Sequence, residues 1–136
     1  MNVLIDTDVL IDLALDRQPF AEHAAILLDA AQRLDVKAYI AWHSVANFYY
    51  IVSSPSGKDS AKAFIQELLA FVEIAPVQTD DVLYALALNV SDFEDALQIA
   101  AARACRAERI LSRNVKHFKN SPIPCETPEA FCQSFI

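Results

Sequence analysis

The sequence predicts an α/β protein, a three-layer α/β/α sandwich around a central, mostly parallel sheet of about four or five strands. The apolar run at 3–5 is continuous, as in a strand covered on both faces, and 36–41 and 109–111 read as further strands. Between them lie segments whose apolar residues recur at helical spacing. Strands alternating with helices join by right-handed crossovers, so they run parallel.

Taken in order, Val3 to Ile5 is the first strand, stopping at Asp6, and Val9 to Leu15 has helical character until Arg17-Gln18-Pro19 breaks it. Pro19 suits the first turn of a second helix, with Ala24, Ala25, Leu27, Leu28, Ala31 and Leu34 as its apolar stripe. Val36 to Ala41 reads as the second strand, and a third helix spans Ser44 to Ser53. The clearest loop is Ser54-Pro55-Ser56-Gly57, which carries the only glycine and so excludes a glycine-rich phosphate cradle. Lys58 to Phe71 is a one-sided helix. Val72 to Val77 is a short strand, interrupted by Pro76 and therefore placed at the sheet edge. Thr79 caps a helix over Asp80 to Leu88, and Asn89-Val90 makes a turn. A helix then runs from the Ser91 region to about Arg106, followed by strands at Arg109 to Leu111 and Ile123 to Glu126. Thr127-Pro128 opens a C-terminal helix with cap and proline in their favoured places.

A chain of 136 residues reads as one domain, residues 1–136, with a substantial core. Its 54% apolar content predicts self-association or a protein partner. No apolar stretch approaches the roughly 18 residues of a membrane span. Asp6 also interrupts the place where a signal peptide would be apolar, so the expected location is the cytoplasm. Cys105, Cys125 and Cys132 are odd in number and lack CxxC pairing, which points away from a disulfide framework or a thiolate zinc site. The net charge of −7 argues against a general nucleic-acid binder. Between Arg103 and Lys119, however, six cationic residues stand against Glu108 alone, a segment able to face a polyanion or to form a solvated face.

Two acidic stretches carry the chemistry. Asp6 and Asp8 follow the first strand, where open parallel sheets place their ligand crevice. A buried carboxylate there needs a cation, a hydrogen-bonding loop or a substrate, although both residues also serve as turn and cap residues. Ser91-Asp92-Phe93-Glu94-Asp95-Ala96-Leu97 begins the later helix. Ser91 and Glu94 match a capping box, and Phe93, Ala96, Leu97, Ala100, Ala101 and Ala104 form the expected buried stripe. Asp92 suits the helix dipole; Asp95 sits beside the apolar seam, where that explanation is weaker. Helix starts follow strand ends, so Asp6, Asp92 and Asp95 can share one sheet edge with Ser112-Arg113-Asn114. Such carboxylates repel one another unless a divalent cation lies between them, and oxygen ligands without thiolates favour Mg²⁺ or Mn²⁺. A divalent cation of this kind polarises phosphoryl oxygens and activates water against a phosphodiester.

These segments, Leu4-Ile5-Asp6-Thr7-Asp8-Val9-Leu10, Asp92-Phe93-Glu94-Asp95-Ala96-Leu97 and Ile110-Leu111-Ser112-Arg113-Asn114 with Phe118, resemble the PIN-domain family, particularly toxin ribonucleases of the VapC type. The resemblance spans nearly the whole chain. It implies hydrolysis of RNA with one or two Mg²⁺ or Mn²⁺ ions, a homodimer, and an inhibiting antitoxin protein. Residue by residue, it makes Asp6 and Asp95 metal carboxylates, with Asp92 a further ligand from the same turn. Asn114 joins the catalytic set, and Ser112 and Asn114 orient Asp6 or the attacking water. Ser112, Arg113 and Lys116 are the candidate substrate contacts. Many members place a Glu early in the third helix; here Trp42 to Asn47 has none, so Ser44 or Asn47 takes that neighbourhood.

Other readings remain open at this level. Asp6-Thr7-Asp8 could supply the nucleophile and acid of a haloacid-dehalogenase-like phosphatase, though Leu10 stands where that motif wants Thr or Val. A catalytically weak domain that only binds RNA or an antitoxin is the third, supported by the missing Glu. His23, His43 and His117 read as structural hydrogen-bonders, and Trp42, Phe48, Tyr49 and Tyr50 as core or interface before base-stacking platforms.

Overall fold

The computed structural model describes every residue from Met1 to Ile136. Five strands, β1 (Asn2–Ile5), β2 (Lys37–Ile40), β3 (Glu73–Ile74), β4 (Arg109–Leu111) and β5 (Cys125–Glu126), form one sheet in the order β3-β2-β1-β4-β5. All four pairings are parallel, as the strand–helix alternation predicts. Seven helices surround it: α1 (Thr7–Ala14), α2 (Phe20–Gln32), α3 (Trp42–Ser56), α4 (Lys58–Leu68), α5 (Thr79–Ala87), α6 (Phe93–Ala104) and α7 (Pro128–Phe135).

The chain first adds strands to one side of β1 and then to the other, and right-handed crossovers therefore change face when the direction reverses. Val3, Ile5, Ala38, Ile40 and Leu111 pack with α1 to α4 and α7 in the larger core. Leu4 and Ile110 point the opposite way, onto Ile99, Ala101 and Ala102 of α6. This alternation makes the three layers. Alanines along α6 let the helix lie close to the sheet. The reversal falls between β1 and β4, and its crevice opens at the carboxyl ends of these strands.

Several element boundaries differ from the sequence reading. The expected loop at Ser54 to Gly57 is mostly helix: α3 continues through Pro55 to Ser56. Pro55 removes one backbone donor, but the Gly57 N–H still closes the turn on the Ser53 carbonyl at 2.8 Å. Gly57 then takes φ 89°, a conformation that suits glycine, and starts α4 at once. Leu34 lies beyond the end of α2, where φ is 64°, and is 79% exposed, not part of the stripe. Gln78, not Thr79, precedes α5, and its N–H donates to Asp81 Oδ2 at 2.8 Å. β3 is shorter than expected but does lie at the sheet edge. Thr127 caps α7 through the Ala130 N–H at 3.1 Å.

The start of α6 matters most. The cap is Asp92, whose Oδ1 accepts the Asp95 N–H at 3.1 Å, and the capping box expected from Ser91 and Glu94 does not form. Either Ser91 or Asp92 is chemically able to cap, and one residue of shift puts Glu94 in the second helical position, unable to reach back. Phe93 moves off the seam as well and is exposed.

Candidate functional site

Asp6 ends β1 and stands at the N-cap of α1, with Oδ1 accepting the Thr7 N–H at 2.7 Å. Thus its cap role and its place in the crevice are one arrangement. Its other oxygen accepts the Ser112 hydroxyl at 2.8 Å, and the same hydroxyl lies 3.3 Å from Asp8 Oδ2. Asp8 Oδ2 also receives the Arg113 N–H at 3.0 Å and the Asn114 amide at 3.3 Å. Asp8 Oδ1 is buried and has no protein partner.

From the facing side, α6 brings Asp92, Glu94 and Asp95, each offering a carboxylate oxygen within 4.8 Å of the others. The missing third-helix Glu is answered here in part. Asn47 of α3 directs its amide to Glu94 Oε1 at 3.4 Å, and Ser44 is fully buried, bonded to Thr7 at 2.8 Å and to Gln98 at 2.9 Å. Asp6, Asp8, Asp92, Glu94 and Asp95 together line one cavity of about 260 Å³ with Asn47, Asn114 and His117. No lysine or arginine lines it.

The electrostatics follow from this crowding. Burial first, then the charge of Asp8, pushes the Asp6 carboxyl up to about 7. Burial likewise raises Asp8, and it raises Asp95 with help from the charge of Asp92. Glu94 moves the other way: its nearest helper is the His43 imidazole, 3.3 Å off, which with Gln98 and Asn47 outweighs burial. His117 Nδ1 stands 3.3 Å from Asp95 Oδ2.

The sequence reading is altered at four residues. Asp8 and Glu94 join the pocket, although turn and cap roles had sufficed to explain them. Ser112 is completely buried, so it orients carboxylates and cannot touch a polymer. The Arg113 guanidinium is held by Asp12, at 2.5 and 3.0 Å, and is not directed toward the cavity. Lys116 is exposed and makes no ion pair. Half of the cationic run is engaged locally: Arg103 lies over Tyr84, Arg109 pairs with Glu126 at 3.6 Å, and Arg113 is held by Asp12.

A carboxylate-dense pocket at the switch point of a parallel sheet is compatible with a hard cation. The chain belongs to the PIN domain family, whose model matches residues 2–116. This removes the support for the phosphatase reading. No curated protein matches the sequence significantly. Among solved structures, the chain is similar to VapBC2 from Rickettsia felis, bound to a DNA fragment from its promoter. That match has 19% identity, covers 93% of this chain and 98% of that one, and has a TM-score of 0.73. VapBC-1 from nontypeable Haemophilus influenzae matches with 14% identity over 95% of this chain and 99% of that one, TM-score 0.69. VapC20 from Mycobacterium tuberculosis, a toxin that cleaves the sarcin-ricin loop, matches with 17% identity over 79% and 86%, TM-score 0.63. At such identities the likeness is one of fold.

Proposed function

We propose that this protein is a divalent-metal-dependent endoribonuclease, acting as the toxin of a toxin–antitoxin pair. The observation that carries the reading is a pocket of five carboxylates that no lysine or arginine lines. The donors fit Mg²⁺ or Mn²⁺: they are oxygens, and Asp8 Oδ1 is buried without a partner. Asp6, Asp95 and Asp92 would hold the ion, with Asp8 and Glu94 added by the geometry. When bound, such an ion supplies Lewis-acid activation of the phosphodiester and of water.

The chain's own groups divide the remaining work. Ser112 and Asn114 hold Asp6 and Asp8 in place, Asn47 and Gln98 orient Glu94, and the exposed Lys116 meets a backbone phosphate. RNA as substrate is supported by the family and by the RNA-cleaving activity named for VapC20. The VapBC structures support a small antitoxin partner. We further propose a homodimer, to which the exposed Val82, Leu83 and Leu86 of α5 are suited. Its working place is the cytoplasm, where RNA is available; no helix is long and apolar enough to cross a membrane.

The test is cleavage of end-labelled RNA by the EDTA-stripped protein, with Mg²⁺ or Mn²⁺ restored, beside Asp6→Asn and Asp95→Asn. Each substitution is expected to lower the rate by about 100-fold or more, the equivalent of several kcal/mol of transition-state stabilisation. Metal-independent cleavage, or activity surviving in both variants, overturns the assignment. A metal-binding protein that cuts no RNA would instead match a domain that acts by binding alone.

A further inference from the structure

Asp12 is 1% exposed, the most buried carboxylate of the chain, and lies on α1 one turn beyond Asp8. A carboxylate removed from water needs a cation, and Arg113 provides one in forked geometry. Its Nε is 2.5 Å from Oδ2 and its Nη2 3.0 Å from Oδ1, while Arg17 stands off at 4.0 Å. Phe20 covers the guanidinium, with its ring centroid 4.2 Å away. The backbone N–H of Arg113 meanwhile donates to Asp8. Residue 113 therefore grips two successive turns of α1, by its main chain at Asp8 and by its side chain at Asp12. Its neighbours in sequence are Ser112, which bonds Asp6 and Asp8, and Asn114, which bonds Asp8. The β1–β4 ladder ends at Ile5 and Leu111, so the segment carrying these groups leaves the sheet just where they are needed.

We infer that the Asp12–Arg113 pair is a clamp that positions Asp8, Ser112 and Asn114 for metal binding, and that Arg113 is a positioning residue and not a phosphate contact. The inference rests on reading the carboxylate pocket as a metal centre. A fork and a covered guanidinium are what a clamp requires; a phosphate contact requires a free cation at the cavity rim, which Arg113 does not present.

The test uses the full chain with Asp12→Asn, Arg113→Gln, the neutral double variant and Arg113→Lys. Mn²⁺ affinity is read by calorimetry, and kcat and KM on single-stranded RNA at several salt concentrations. Supporting residues of metal ligands typically contribute about 10- to 100-fold in metal affinity. Each single variant is expected to lose that much, with kcat reduced and KM and its salt dependence unchanged. The double variant should be no worse than the worse single one, since both remove the same interaction. Arg113→Lys keeps the charge but not the fork and should not restore the affinity. If a single variant leaves a buried unpaired charge and unfolds, the neutral double variant carries the measurement.

Unchanged Mn²⁺ affinity in folded variants overturns the clamp and leaves the nuclease reading standing. A raised KM with a shallower salt slope in Arg113→Gln alone, not shared by Asp12→Asn, also overturns it and makes Arg113 a phosphate contact. Mn²⁺ binding without RNA cleavage overturns the nuclease reading only, because the affinities still report the clamp. No Mn²⁺ binding by the unaltered protein overturns both.

Discussion

Asp6 carries two opposed demands. It caps α1, which favours the ionised form, yet burial and Asp8 push its carboxyl from the ordinary value of 3.8 to about 7. In the folded protein it therefore holds a proton over a range where the unfolded chain has released it. The stability this contributes is complete below about 4 and is lost as pH rises through about 7. Asp8 and Asp95 add in the same direction, and Glu94 opposes them. In EDTA, thermal melts should thus show the protein less stable at pH 8 than at pH 5.5, and added Mn²⁺ should reverse the deficit most strongly at pH 8. A metal-free melting temperature that climbs across this range would contradict the assignment. Asp6→Asn removes the buried charge, so in EDTA at pH 8 it should melt a few degrees higher than the unaltered protein, with the Mn²⁺ response abolished.

At the scale of elements, α6 links the halves of the pocket. Its first turn supplies the cap Asp92 and the carboxylates Glu94 and Asp95; one turn on, the fully buried Gln98 reaches Ser44 of α3 at 2.9 Å and approaches Thr7 of α1 at 3.4 Å. Thr7 and Ser44 bond each other at 2.8 Å as well. This asymmetry yields a prediction from denaturant melts. Gln98→Leu leaves the Thr7–Ser44 bond intact and should cost about 1 kcal/mol, whereas Ser44→Ala removes both the nearest acceptor of the buried Gln98 amide and the partner of Thr7 and should cost about 1–3 kcal/mol. Equal losses would mean that the network does not bear on α6. Asp92→Ala should lose about 1 kcal/mol from the cap alone, in EDTA, before any effect on metal. The shift of that cap by one residue is also why Glu94 escaped a sequence reading: a local capping box explained it fully, and only the observed start of α6 turns it toward Asn47.

The whole molecule bears a net charge of −7, and half of its cationic run is tied to neighbouring aromatic rings or carboxylates. Arg106, Lys116 and Lys119 are the members of that run with neither an ion pair nor an aromatic ring against the cation. Binding of single-stranded RNA by an inactive Asp95→Asn variant should therefore show a log–log salt slope of about −2 or shallower, three contacts at ~0.7 each. A much steeper slope in fluorescence anisotropy would require a cationic surface elsewhere. For the proposed homodimer, Leu83→Lys with Leu86→Lys should shift sedimentation toward the monomer while leaving Mn²⁺ affinity unchanged. Both side chains are more than half exposed, and both lie outside the carboxylate pocket.

Fold class, a parallel sheet and the crevice beside Asp6 follow from apolar runs and helical spacing, because hydrophobic periodicity and crossover handedness are local or nearly so, whereas the strand order is set by tertiary packing. Asp6 and Asp95 stood out in sequence since each is a carboxylate at the end of a strongly apolar element, an expensive place for a charge. What Asp8, Glu94 and Arg113 do was decided only by tertiary structure. Their partners lie far off in the chain, as Asp12 does from Arg113, and each had an adequate local role that only the folded arrangement could displace. A carboxylate's protonation and a guanidinium's availability depend on what surrounds them in space, and sequence spacing does not encode that.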